Sequence, residues 1–438
     1  MKIAWFTPFS NKSAIGKYSQ IITNQLIKHC DVDLWIPDSE DLLCSDLKMI
    51  KISSKGDTAL KLRNYDFIIY NMGNYLFYHM DIYEVSRVFK GVVVLHDFVM
   101  HHFFAGYYLE HKKDNTGYLN AMTRYYGQAG KEMAINSING KCTQVWETAE
   151  VVNYPFFEKA IEGATGVIVH SNFHASKIRQ GFIGPVGNIY HPFNPALVSR
   201  SRTSKADLGL PADKLLMITI GHVNPNKRID KVIEVLAENK DLAAQVIYVV
   251  IGSGVNEQYF SYLKSIVKEK NLQNTVRFTG FQPDHILGDY MLNADIFINL
   301  RFPAMESSSW SLVEQLHYGK PVIVIDNGFY SEIPDGCLIK IKVTNEIIGL
   351  QEALTKLAAD QEMRARIGEK GKQFAIEHFT AEKYCNSLLS FLPQVQSYQP
   401  VLKLVDRVGQ ELSSMGTTDT MDVVSKVAQV VSAMFGQR

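Results

Sequence analysis

Two glutamates eight positions apart, Glu306 and Glu314, bracket a run of serines in RFPAMESSSWSLVEQLHYGKPVIVID (301–326). An acid in a loop can accept hydrogen bonds from sugar hydroxyls, and one inside the following helix can take those of a ribose. Between them, Ser308, Ser309 and Trp310 stand where SLVEQLHY opens as a helix. The first N–H groups of a helix lack carbonyl partners and sit at the positive end of its dipole, which suits a diphosphate. Upstream, Asn226, Lys227 and Arg228 close a strand-to-helix loop. Two cations there also suit a diphosphate, since charge-assisted hydrogen bonds are roughly twice as strong as neutral ones. A third device is His96 with Asp97, leaving the apolar strand GVVVL. Each has a plainer reading: a capped amphipathic helix with solvated acids, an exposed basic turn, a histidine bonding its own loop. His101 and His102 invite a zinc site with His96, but adjacent histidines point apart and spacings of five and six do not stack on one helical face. No metal is expected.

Positioning these groups takes buried parallel strands, and the chain supplies them as short apolar runs separated by helical segments. KIAWF, VDLWI, YDFIIYNM, GVVVL, ATGVIV and GNIY make a first set, with His170 and Ser171 at the end of ATGVIV. LLMITI, QVIYVVI, VRFTG, ADIFINL, VIVI and GCLIKI make a second, Gly319 ending the helix before VIVI. The pattern predicts an α/β protein in which ligands sit at the carboxyl ends of the strands. Gly16 follows the first strand, where it either admits a phosphate or acceptor group or packs a helix. Gly221 and Gly252 close loops after two strands of the second set, and Phe281 and Gln282 are placed to hold a nucleotide base. Residues 103–150 form a helical, tyrosine-rich insertion whose rings mostly fill a core. SRTSKADLGLP is a basic, helical lead-in to the second domain. The expected domains are 1–198 and 199–375, then a helix over 376–392 and a tail over 393–438. In the tail, apolar residues at three- and four-residue spacing predict two short amphipathic helices split by TTDT.

The 438 residues suffice for two domains and an appendage, and the formal charge of zero, with acids and bases interspersed, asks for no nucleic acid. No apolar run reaches the length of a spanning helix, and MKIAWFTP reads as a strand rather than a signal peptide. Five scattered cysteines fit reduced thiols in a cytoplasmic protein. No cofactor is expected.

Glu306 and Glu314, followed by Gly319-Lys320-Pro321-Val322-Ile323, resemble the Glu-x7-Glu signature of retaining glycosyltransferases of the GT-B fold, family 4 (glycosyl transferases group 1). The resemblance covers 160–392 well and 1–110 more loosely. Gly221 and Lys227 match the family's phosphate loop, with His222 in place of its Arg, so that Arg228 is expected to share that work. Ser308-Ser309-Trp310 stand where the family has Phe-Gly-Leu, and Ala14 where it often has Gly. His96 matches the family's histidine close to the donor sugar. The resemblance implies two Rossmann-like domains facing across a cleft, the second holding a nucleotide-sugar. It also implies retention without a bound metal, by front-face departure, with His96, Lys227 and Glu306 catalytic. The transferred hexose is mannose or glucose and the acceptor a glycan or lipid-linked group. Likeness to bacterial mannosyltransferases of surface polysaccharide favours GDP-mannose over UDP-glucose. A GT-B nucleotide-sugar epimerase and a non-catalytic partner subunit remain open. So do three roles for 393–438: self-packing, contact with a second copy, and connection to a neighbouring domain. Peripheral attachment at the inner face of the membrane is the least favoured, because the tail has few bases.

Overall fold

The computed structural model describes residues 1–38, 41–52, 55–254, 256–417 and 422–435. The chain divides into two compact units: Met1–Tyr190 with Met305–Ser307 and Glu382–Arg438, and His191–Ala304 with Ser308–Ala381.

The first unit holds a seven-stranded parallel sheet of β1 (Lys2–Phe6), β2 (Asp31–Ile36), β3 (Met49–Lys51), β4 (Phe67–Met72), β5 (Val92–Leu95), β6 (Gly166–Val169) and β7 (Val186–Asn188), in the order β3-β2-β1-β4-β5-β6-β7. Every residue of β5 and β6 is buried, so both faces are covered, as the absence of alternation in VVVL and GVIV requires. The insertion is helical (His101–Ala105, Gly106–His111, Asn115–Ile138). Phe103, Phe104 and Tyr118 are fully buried in the core, and Tyr107, Tyr108, Tyr125 and Tyr126 pack against it. Core-filling is therefore what these rings do.

The second unit holds a six-stranded parallel sheet of β8 (Leu215–Ile220), β9 (Val246–Ile251), β10 (Val276–Gly280), β11 (Ile296–Ile298), β12 (Val322–Ile325) and β13 (Ile339–Ile341), ordered β10-β9-β8-β11-β12-β13. In both sheets the chain reverses its direction of strand addition once, between β1 and β4 and between β8 and β11. In open α/β sheets ligands bind outside the carboxyl ends of the strands at this switch point.

Two elements differ from expectation. The lead-in SRTSKADLGLP forms turns instead of a helix, Gly209 at φ +65° closing them. A single helix, Ala381–Ser414, runs through Pro393 and Pro400 and takes in the first tail segment. Tyr384, Cys385, Leu388, Phe391, Leu392 and Val395 bury one stripe of it, and a Cβ at Gly166 on β6 would come within 2.8 Å of Val395. That docking carries the helix past Pro393. A second helix follows at Asp422–Phe435; residues 418–420 of the expected split lie outside the described residues.

Candidate active site

In the second unit, the loops after β8 and β11 lie on either side of the switch point. The Phe302 amide donates to the Asn226 carbonyl (2.8 Å), tying them together. β8 ends at Gly221, φ +94°, and Pro225–Lys227 make one 3₁₀ turn. Lys227 is only 4% exposed and its ammonium donates to the Ile220 carbonyl, folding over Gly221. A Cβ on Gly221 would lie 2.5 Å from the lysine Nζ, so glycine is demanded by the close approach as well as by φ. Gly252 serves the same junction: its Cβ would lie 2.2 Å from the Gly221 carbonyl oxygen.

Arg228 is otherwise engaged. Its Nε donates to Glu346 Oε1 (2.9 Å) and its terminal nitrogen to Oε2, a fork-to-fork pair that raises the guanidinium pKa further. The expected sharing of phosphate work would require that pair to open. His222 is exposed, with Nδ1 2.9 Å from Ser253 Oγ; partial desolvation and the Lys227 charge lower its pKa. Phe281 is 76% exposed beyond β10, and Gln282 Nε2 donates to the Thr279 carbonyl (3.0 Å).

After β11 the helix Trp310–His317 begins with Ser309 as its cap, Oγ accepting from the Leu312 amide (3.3 Å). Asn299, buried at the end of β11, donates to Ser311 Oγ (3.1 Å) and to Gln315 Oε1 (2.7 Å), locking the helix onto the strand. Ser308 Oγ is buried and has no partner among the described residues, a polar atom left over at the helix start. Trp310 stands edge-on to His191 (5.1 Å between centroids) and packs on Phe193 (5.7 Å). Glu314 is half-buried one turn into the helix.

Met305–Ser307 belong to the first unit, where they run antiparallel to the end of β5. The Phe98 and Val99 amides both donate to the Met305 carbonyl (3.0 Å), and Ser307 N to the His96 carbonyl (2.9 Å). Ser307 Oγ accepts from the His170 amide (2.8 Å). Glu306 is thereby placed opposite Asp97. Burial, with Glu306 close by, outweighs the Asn74 amide that Asp97 accepts from, and pushes the Asp97 carboxyl up to about 7. His96, 7% exposed, has Nε2 3.1 Å from Asn71 Oδ1 and Nδ1 3.2 Å from His170 Nε2. The His170 Nδ1–H donates to the Ile189 carbonyl (2.8 Å), and burial lowers this imidazole to about 4. Tyr18 stands perpendicular to His96 at 4.6 Å, and its hydroxyl donates to that of Tyr384. Gly16 lies against the chain that precedes it: a Cβ there would be 2.5 Å from the Pro8 carbonyl oxygen. Of the two roles open to Gly16, helix packing is the one its surroundings require.

His101 donates to the Tyr154 carbonyl (2.6 Å) and accepts from Tyr118 (2.7 Å), while His102 turns to Glu147 (3.6 Å). Among the described residues no group of three or more metal-ligating side chains converges. Four participants lay beyond sequence reasoning: Asn71, Ser307, Asn299 and Glu346. His170 was visible only as a strand-end residue. Asn71, Ser307, Glu346 and His170 meet their partners through the sheet order rather than through spacing, whereas Asn299 meets the helix that follows its own strand.

Residues 200–374 match the family model for glycosyl transferases group 1. A comparison with curated protein sequences gives no match. Solved structures resemble the chain over nearly its whole length. HepE of Anabaena in complex with UDP-glucose is 16% identical, with a TM-score of 0.59, covering 90% of this chain and 99% of that one. Sucrose-phosphate synthase of Thermosynechococcus elongatus is 15% identical, with a TM-score of 0.62, covering 91% and 99%. WaaG, a glycosyltransferase involved in lipopolysaccharide biosynthesis, is 14% identical, with a TM-score of 0.57, covering 88% and 99%. The chain has the GT-B fold with a helical C-terminal region. No helix among the described residues is long and apolar enough to cross a membrane.

Proposed function

We propose that the chain is a retaining glycosyltransferase that moves a hexose from a nucleoside-diphosphate sugar to a glycan or lipid-linked acceptor. The observation that carries this reading is the junction of Lys227 with the start of the helix Trp310–His317. A buried ammonium, a capped helix N terminus and the unpartnered Ser308 Oγ gather at one sheet switch point. Such a place suits an anion. As the sugar departs, negative charge grows on the diphosphate, and Lys227 with the helix start offsets it in place, the task a divalent ion performs elsewhere. Glu314 holds the ribose, Phe281 and Gln282 flank the base, and His222 joins Lys227 at the phosphates. Glu306 and His96 are assigned to the sugar on the family resemblance. The diphosphate itself takes the acceptor's proton in a front-face departure, so no carboxylate need act as nucleophile.

HepE was solved with UDP-glucose, which sets UDP-glucose beside GDP-mannose as a donor to test. Surface polysaccharide or lipopolysaccharide synthesis is the context that fits. The test is hydrolysis of a panel of nucleotide-sugars, with the anomer of the released sugar followed by NMR. We expect one donor to be cleaved with retention; binding and cleavage of none would overturn the reading, and inversion would overturn its stereochemistry.

A further inference from the structure

We propose that His96 stands in the folded protein as an imidazolium, held in that form by Asn71 and His170, which are its positioning residues. Protons can be counted along one chain of hydrogen bonds. At one end the Ile189 carbonyl is an acceptor, so the His170 Nδ1 facing it at 2.8 Å carries a hydrogen. His170 is fully buried and neutral at ordinary pH, its proton affinity lowered by desolvation. Its Nε2 is then a lone pair, and the His96 Nδ1 that faces it at 3.2 Å must donate. At the other end, His96 Nε2 meets Asn71 Oδ1 at 3.1 Å. The orientation of Asn71 is determined by its other atom: Nδ2 donates to the Phe6 carbonyl at 2.8 Å, and turning the amide over would set two oxygens against each other. Nε2 of His96 must therefore donate as well. An imidazole that donates through both nitrogens carries one positive charge.

Its neighbours within the first unit agree with a cation at His96. Tyr18 on the helix Ala14–Leu26 and Tyr384 on the helix Ala381–Ser414 are held neutral, burial raising both hydroxyls. His79, whose Nδ1 donates to the Asn71 carbonyl (3.1 Å), is lowered to about 4 by burial and adds no charge. The acidic groups at the same strand end are Asp97 and Glu306. The consequence for function rests on the glycosyltransferase reading, in which His96 serves the donor: its charge favours an anionic donor over a neutral one.

The test is ¹⁵N-histidine NMR on the full chain without donor, with His96→Gln and His170→Gln used only to assign the resonances. Wild type at pH 7 should show three of these four ring nitrogens protonated, with the third proton leaving only above pH 7. Asn71→Leu removes one acceptor, and the His96 midpoint should then fall by about one unit or more. Two protonated nitrogens out of four in wild type at pH 7 would overturn the proposal, even if Asn71→Leu fails to fold. A pH profile of turnover on UDP-glucose or GDP-mannose adds a second reading, its alkaline limb moving down in Asn71→Leu. Absence of turnover would count against the glycosyltransferase reading alone, because the proton count is made without donor.

Discussion

Lys227 and Arg228 are adjacent cations with different commitments, and substitution separates them. A charged hydrogen bond contributes about 1.5–3 kcal/mol, so Lys227→Ala should weaken UDP or GDP binding by about one to two decades in calorimetry. Arg228→Ala should act on the fold instead. It strands Glu346, which is 6% exposed, and breaking a buried ion pair costs about 3–5 kcal/mol; urea unfolding should report that loss. The glutamates divide in a similar way. Glu314→Gln should weaken nucleotide and nucleotide-sugar alike, since both carry the ribose. Glu306→Gln should leave free nucleotide affinity unchanged and lower kcat, because a contact made mainly in the transition state appears in turnover. Equal loss of bare nucleotide binding in the two variants would end that division. These roles were legible because residue types at short spacing announce them. The partners were not: Glu346 lies 118 positions from Arg228, and His170 lies 74 from His96. Only the order of parallel strands, which no local pattern encodes, brings such residues together.

Elements were easier to read than partners, and for a physical reason. A strand buried on both faces must be apolar throughout, so VVVL, GVIV, VIYVVI and VIVI declare themselves. β3, MIK, sits at the sheet edge with two exposed residues, and no apolar run marks it. The helix Ala381–Ser414 misleads in the opposite direction, because proline signals an end that buried packing overrides. Gly16 shows how an element can turn a site residue into a structural one. The helix Ala14–Leu26 lies so close to its preceding loop that Gly16 faces Pro8 and Ser10 backbone atoms, within 2.5–2.9 Å of a virtual Cβ. Gly16→Ala should therefore destabilise by about 1–3 kcal/mol, the usual cost of overpacking, because backbone atoms cannot rotate away. Nucleotide affinity of the folded fraction should stay as in wild type; a selective loss of affinity at full stability would restore the ligand-contact role.

For the whole molecule the informative variable is pH, because the first unit keeps four histidines buried and neutral. Burial is the leading cause in each: His79, His101 and His170 are lowered to about 4, and His174, with Lys177 adding repulsion, to about 3. Each finds a hydrogen-bond partner as the neutral ring: Asn71, Tyr154 and Tyr118, Ile189, and Ser171. Unfolding returns each to about 6.5, so between roughly pH 4 and 6.5 the unfolded chain binds more protons than the folded one. Stability then rises with pH across that window, is complete above about 6.5, and is lost as acid is added. One such group contributes a slope of about 1.4 kcal/mol per pH unit where it is protonated only in the unfolded state. Asp97 runs the other way: raised from 3.8 to about 7, it favours the fold below 3.8 and withdraws that support as pH climbs to 7. Asp81 and Glu158, raised by burial, and a charged His96 run with Asp97, but His102, His222 and His317 are lowered like the four. The lowered histidines therefore outnumber the opposing groups and leave a net loss of stability on acidification. Urea midpoints of the full chain at pH 7, 6, 5 and 4.5 should accordingly fall at each step. His101→Gln, which keeps a donor and an acceptor but takes up no proton, should flatten the fall by about one proton's slope. A profile level from pH 7 to 4.5 would mean that these histidines are protonated in the folded state, and would remove His170 as the neutral member of the chain that charges His96.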